Sequence, residues 1–356
     1  MKIAHLTSVH GPFDTRIFQK QCRSLARAGY DTHLVVVHDA DQTIDGVQLN
    51  AIVRSSSNRL SRMLGTVRQV YQRALRLDAD IYHLHDPELI PVGLALKRRN
   101  KIVIFDSHED YPADIMSKPW IPLAMRKYVA RTFAALERYA LPKFDAVVTV
   151  HQQIAERLVK IQPSTVIVHN FPIIDESYVA AETHIPKFVW LGLLSPIRGC
   201  VQIDAALKMT EGAVLDVIGP ISKFEPDPDK VNLLGSFPQR QAMEIASNYL
   251  AGLVTYLPEP NHIDALPNKL FEYMSLGLPV IASDFPKWRK IVEGAGCGLL
   301  VDPNSPESIA GAMRWLLDNP DKAAEMGRLG RMAVLEKYSW ASEEKVLLNL
   351  YAELGK

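Results

Sequence analysis

Short apolar runs that alternate with longer amphipathic ones, twice over in a single chain, leave few folds open. Residues 3–7, 33–37, 81–85, 102–106 and 146–150 are each a handful of apolar residues closed off by polar ones, the pattern of strands buried on both faces. Helical patterns fill the gaps. The first is capped by Asp14, carries Ile17, Phe18 and Leu25 on one face, runs to about Ala28 and stops at Gly29. Residues 188–191, 214–218, 231–234, 253–256, 279–282 and 298–301 repeat the plan, with helices beginning near Gly199, Pro238, Pro267 and Pro306. Strand, helix and strand again call for an α/β fold with a parallel, doubly wound sheet in each half.

Length agrees, because 356 residues exceed what one hydrophobic core usually serves. Residues 171–186, with two prolines, several acids and little periodicity, read as the linker. The expected division is a first domain over 1–175, a second over 176–338 and a last helix over 339–356. Ligands of such sheets lie beyond the carboxyl ends of the strands, and two facing sheets place the site in the cleft between them. Chemistry is therefore sought in the loops that follow strands.

Composition removes other classes. Hydrophobic residues make up 47% and charged ones 22%, which excludes disorder and a coiled coil. Cys22, Cys200 and Cys297 are isolated and odd in number, so they suggest neither a disulfide framework nor a metal-ligand spacing, and a reducing cytoplasm fits best. No run approaches the roughly 20 apolar residues that span a bilayer, so any membrane contact is expected to be peripheral. The charge is zero overall, yet residues 1–175 carry 23 basic against 17 acidic side chains.

Among the post-strand loops, Leu266-Pro267-Asn268-Lys269-Leu270-Phe271-Glu272-Tyr273-Met274 carries the strongest signal. Pro267 is placed to start a helix whose unpaired N–H groups and partial positive charge suit a diphosphate, and Lys269 adds a full charge. Glu272, one turn further on, is placed to accept hydrogen bonds from a ribose diol. With Asp264 it has the spacing of the carboxylate-x7-carboxylate motif, and the region resembles retaining glycosyltransferases of the family 4 type, which have the GT-B fold. In that family the first acid is typically Glu and lies near the donor sugar; here it is Asp, one methylene shorter.

The resemblance extends over nearly the whole chain. Trp190-Leu191-Gly192-Leu193-Leu194-Ser195-Pro196-Ile197-Arg198-Gly199 is similar to the family's diphosphate loop, with Leu193 in place of its first base and Arg198 matching the second. It implies that Arg198 and Lys269 neutralise the departing diphosphate. Ser195, Gly199, Pro267, Asn268, Leu270 and Gly219, which follows the 214–218 strand, are assigned to substrate binding. His10-Gly11-Pro12-Phe13-Asp14-Thr15-Arg16 resembles the family's N-terminal loop, though bulky Phe13 departs from the usual glycine-rich form. His83-Leu84-His85-Asp86-Pro87-Glu88 and Phe105-Asp106-Ser107-His108-Glu109-Asp110 close two further strands. On the resemblance His108 bonds a donor sugar hydroxyl, while His85, Asp86 and Glu109 orient sugars. Clustered histidines and carboxylates also invite a metal, but their spacings match no standard ligand pattern, and strand-capping structural histidines are the plain alternative.

The implied reaction moves a sugar from a UDP- or GDP-sugar to a hydroxyl of a glycan or polyprenyl-linked acceptor, with retained configuration, no cofactor and no metal. Nucleotide-sugar epimerases share the scaffold, and a catalytically degenerate sugar-nucleotide-binding scaffold is the non-enzymatic alternative. Gly294-Ala295-Gly296-Cys297-Gly298 precedes a strand rather than following one, so it reads as a turn and not a dinucleotide fingerprint. Residues 54–76, with six arginines and no acid, and 118–138, with Trp120, Met125 and Tyr128 among basic residues, read as basic amphipathic helices. Either they lie on anionic membrane or their apolar faces are core. Nothing resembles a nucleic-acid recognition module.

Overall fold

The structure, a computed structural model, describes residues 1–53, 59–118, 121–174 and 185–356. Most of the expected linker, with Arg54 and Trp120, lies outside them. The chain divides into two compact units, residues 1–170 with 341–356, and residues 171–340.

Among the described residues the first unit holds eight strands: β1 (Lys2–Leu6), β2 (Asp31–Val37), β3 (Gln42–Ile44), β4 (Val47–Ile52), β5 (Ile81–Leu84), β6 (Ile102–Ser107), β7 (Ala146–Thr149) and β8 (Thr165–Ile167). Their order is β3-β4-β2-β1-β5-β6-β7-β8. All neighbours are parallel except β3 and β4, a hairpin closed by Asp45 and Gly46, both at positive φ. Ile3, Leu34, Ile81, Ile104 and Val147 are fully buried, as strands covered on both faces require. The order doubles back at β1 and β5, so the loops after these strands open at the switch point.

The second unit holds β9 (Ile185–Leu191), β10 (Leu215–Ile218), β11 (Val231–Gly235), β12 (Tyr249–Val254), β13 (Val280–Ser283) and β14 (Gly298–Val301), ordered β11-β10-β9-β12-β13-β14 and parallel throughout. Its switch point lies between β9 and β12. Trp190, Trp288, Tyr273 and Phe271 are the large side chains of its core.

Three local details position the site. Asp14 caps the first helix by accepting from the N–H groups of Arg16 and Ile17. The helix starts as a wide π-type run, Thr15–Cys22, continues as Arg23–Arg27, and turns Arg16, Lys20 and Gln21 inward. Gly296, in left-handed conformation, ends the helix Pro286–Ala295 before β14, so the glycine-rich segment is a turn. Helix Trp340–Leu354 closes the chain, and its buried Tyr351 belongs to the first unit.

The two basic stretches separate. In helix Arg59–Leu77, Val70 and Ala74 are fully buried, so its apolar face is core. In helix Leu123–Ala140, Leu123 is 79% and Tyr128 71% exposed. Cys22, Cys200 and Cys297 are buried and unpaired, and burial raises all three thiols.

Candidate functional site

At the carboxyl ends of β1, β5 and β6 the first unit assembles a polar cluster from residues far apart in sequence. The buried Asp86 carboxylate accepts from the Thr7 hydroxyl at 2.8 Å and from the Ser8 N–H at 2.6 Å. His10 bridges Asp14 at 3.3 Å and Asp86 at 3.4 Å, and its hydrogen bond to Asp14, against burial, raises its pKa. Asp14 is held well below the carboxylate range by the His10 and backbone hydrogen bonds, which outweigh its burial. Ser8 also donates to Glu88, whose carboxyl is raised by burial and by Asp86. Gly11 is exposed, with open space around it, and Glu109 lies largely in solvent.

Behind this rim lies a fully buried group. Arg16 forks onto Asp106 through Nε at 3.0 Å and Nη2 at 2.9 Å, and Gln21 adds a bond at 2.8 Å. Burial alone would raise the Asp106 carboxyl; the charge of Arg16 and the bonds of His108 and His85 outweigh it and hold the group well below the usual range. His85 faces both Asp106 and His108. Burial pushes its pKa down to about 3, so its ring is neutral. His5 bonds His85 at 2.8 Å, and the Tyr351 hydroxyl bridges His5 at 3.2 Å and His83 at 2.6 Å. Sequence reasoning held Arg16 and Asp106 inside two loop motifs without giving them a role, and missed His5 and Tyr351, whose only signal was a polar residue standing inside an apolar strand or helix face.

In the second unit, the loop after β9 is stitched to the loop after β10. Gly192 N–H donates to Ile218 O, Leu194 N–H to Pro220 O and Ser222 N–H to Leu194 O. Gly219, at φ +146°, lies so close to Gly192 that a Cβ there would meet the Gly192 carbonyl oxygen at 2.5 Å. Gly199, at φ +79°, would bring a Cβ to 2.2 Å from the Thr255 carbonyl oxygen, so glycine is required by conformation and by space. Ser195 is buried, and its carbonyl accepts from the Arg198 N–H.

These turns bring two cations to one aromatic wall. Arg198 Cζ lies 5.6 Å and Lys269 Nζ 5.4 Å from the Tyr256 ring centroid. Arg198 is steadied by donating to Leu193 O at 2.7 Å. Lys269 projects from the first turn of helix Asn268–Ser275, and its Nζ lies 3.5 Å from the Trp190 ring centroid with no hydrogen-bond partner. Among the described residues, no carboxylate lies within salt-bridge distance of either cation. Burial, reinforced by Arg198, drops the Lys269 pKa well below its ordinary value. Pro267 caps the same helix, Asn268 opens it in solvent, and Leu270 turns its side chain into the core while its N–H donates to Pro267 O. Glu272, half-buried, accepts from Gln239 at 3.0 Å. Asp264 is paired with Lys287 at 2.9 Å, and the neighbouring Trp288 indole donates to Ala265 O, so the helix Pro286–Ala295 fixes the loop that carries Asp264.

Two described groups have the donor atoms for a metal ion, His5 with His83 and His85, and His85 with Asp106 and His108. The first is linked by contacts of hydrogen-bond length. The second is a more open triangle.

Residues 3–172 match the model of Glycosyltransferase Family 4, and residues 225–332 match that of Glycosyl transferases group 1. An alpha-D-kanosaminyltransferase of Streptomyces kanamyceticus is 27% identical over 180 residues, 48% of this chain and 46% of that protein. Matched stretches span less than half the length of the curated relatives. Among solved structures, sucrose-phosphate synthase from Thermosynechococcus elongatus superposes with TM-score 0.74 at 17% identity, covering 99% of this chain and 98% of its own. Anabaena Alr3699/HepE in complex with UDP-glucose superposes with TM-score 0.69 at 14% identity, covering 99% and 100%.

Proposed function

We propose that this chain, which belongs to the family 4 type glycosyltransferases of GT-B fold, transfers a sugar with retained configuration from a nucleoside diphosphate sugar to a hydroxyl acceptor. The observation that carries the reading is the pair Arg198 and Lys269. A buried lysine amine with no hydrogen-bond partner is disfavoured in its charged form unless an anion completes it, and Arg198 and Lys269 beside a helix N-terminus fit a diphosphate. The UDP-glucose bound by the Anabaena neighbour supports this donor class.

Arg198 and Lys269 stabilise the charge that develops on the leaving diphosphate, the work a divalent metal does in other transferases. Glu272 accepts from the ribose, with Gln239 holding its other side. His108, steadied by Asp106, bonds a sugar hydroxyl, and His10 and Asp86 receive the acceptor. The exposed Leu123, Met125 and Tyr128 lie on one helix with Lys127, Arg131 and Arg138, while its acid Glu137 is buried against Arg157. That composition fits an anionic membrane bearing a lipid-linked acceptor. Among the described residues no helix is long and apolar enough to cross a bilayer.

The reaction is tested by incubating UDP- and GDP-sugars and candidate glycan acceptors with the chain in excess EDTA and reading the product anomer by proton NMR. A product of unchanged configuration is expected. An inverted product, or turnover that returns only with added metal, would overturn the reading.

A further inference from the structure

Lys269 is 7% exposed, and its Nζ is buried 3.5 Å from the Trp190 ring centroid with no hydrogen-bond partner among the described residues. The charged and titratable groups facing it come from three places. Arg198, from the loop after β9, shares the Tyr256 ring with it, at 5.6 Å for Cζ against 5.4 Å for Nζ. Tyr256, beyond β12, stays a neutral phenol because burial raises its pKa. Glu272, one turn along the same helix, bonds Gln239 and makes no ion pair with Lys269. Helix Pro320–Lys337, packed on that helix, brings Arg331 to Ser275 O at its far end.

An ammonium in these surroundings has lost its hydration and gained no acceptor. The Trp190 face offsets only part of that loss, and the charge of Arg198 opposes a second cation. Burial and Arg198, against Glu272, accordingly hold the amine well below the ordinary lysine range. A diphosphate reverses both effects: it supplies acceptor oxygens and negative charge at the N-terminus of helix Asn268–Ser275. The flexible four-carbon stem lets Nζ turn from Trp190 to meet it.

We propose that the donor diphosphate enters together with one proton, which Lys269 takes up as its amine becomes an ammonium. The inference rests on the glycosyl-transfer reading of this site. One amine, one solvent proton and one nucleotide form one ammonium–diphosphate pair; no bond of the nucleotide breaks, and its release returns the proton to solvent. A group that is charged only when a diphosphate completes it makes the hold on nucleotide weaken as pH rises, a dependence that the permanently charged Arg198 does not give.

The test uses the full chain with UDP and with GDP at about pH 8, well above the ionisation of their terminal phosphate near about 6. Binding heats measured in buffers of different ionisation enthalpy give the protons taken up per nucleotide bound. Uptake approaching one proton is expected, with Kd rising up to about tenfold per pH unit. Lys269→Met should bind more weakly and take up none. Lys269→Arg keeps a permanent charge, so it should bind with no uptake and a Kd nearly flat in pH; it answers where the methionine variant binds too weakly to measure. Binding without proton uptake, or uptake that persists in either variant, would overturn the inference and leave the transferase reading standing. Failure of the folded chain to bind either nucleotide would overturn both.

Discussion

Replacing Lys269 by methionine should move stability and ligand affinity in opposite directions. The substitution keeps an unbranched apolar stem and removes the buried amine, whose Nζ lies 3.5 Å from the Trp190 ring centroid and has no hydrogen-bond partner. An unsatisfied buried polar group costs about 1–3 kcal/mol, so Lys269→Met should gain stability of that order. The gain depends on pH. Burial lowers the folded pKa well below 10.5, so between the folded pKa and 10.5 the unfolded chain binds the extra proton. Stability of the unsubstituted protein then rises with pH across that window, by up to about 1.4 kcal/mol per unit from this group, and the variant's advantage shrinks as pH approaches 10.5. Nucleotide binding moves the other way. A charge-assisted bond to phosphate contributes about 1.5–3 kcal/mol, so Kd for UDP or GDP should rise about 10- to 100-fold. Urea unfolding at several pH values and calorimetric titration measure both. A destabilised variant, or one that binds nucleotide as tightly as before, would refute the argument.

Gly199→Ala should cost at least about 1–3 kcal/mol, since it places a Cβ 2.2 Å from Thr255 O at φ +79°; thermal unfolding measures the loss. Glu272→Ala should weaken nucleotide binding and turnover yet leave the melting temperature nearly unchanged, because the side chain is only half-buried; unchanged kinetics would remove it from the site. Asp106→Asn leaves Arg16 buried without its carboxylate and should cost about 3–5 kcal/mol. Because the folded pKa of Asp106 is depressed, its contribution is full above the ordinary 3.8 and fades as pH falls through the folded value, so the variant should show a shallower acid limb in unfolding followed by circular dichroism.

Both-face burial made most strands readable. Residues 102–106 and 146–150 reappear as β6 and β7 within a residue, because a short apolar run bounded by polar residues suits a strand covered on both faces of a parallel sheet. The β3–β4 hairpin escaped notice although Asp45-Gly46 is a strong turn signal, since Gln42 and Thr43 give β3 no apolar pattern. β12 begins at Tyr249, ahead of the expected 253–256, and Tyr256 lies beyond it as an aromatic wall for Arg198 and Lys269. The helix Pro286–Ala295 was not expected, and with it went the Lys287 partner of Asp264. Loops read from motif, such as Arg198-Gly199 and Pro267-Asn268-Lys269, carry local signals. The joining of Tyr351 to His5 does not: the two meet across 346 positions, and only the last helix brings Tyr351 there.

The most direct test of the donor site is a saturation-transfer NMR screen of the folded chain against UDP- and GDP-sugars in EDTA, run in parallel with Lys269→Met. Selective transfer to one nucleotide sugar, with slow release of its sugar, and loss of that signal in the variant are expected. No transfer from any nucleotide sugar, or equal signals from both proteins, would contradict the claim that Arg198 and Lys269 hold the donor diphosphate.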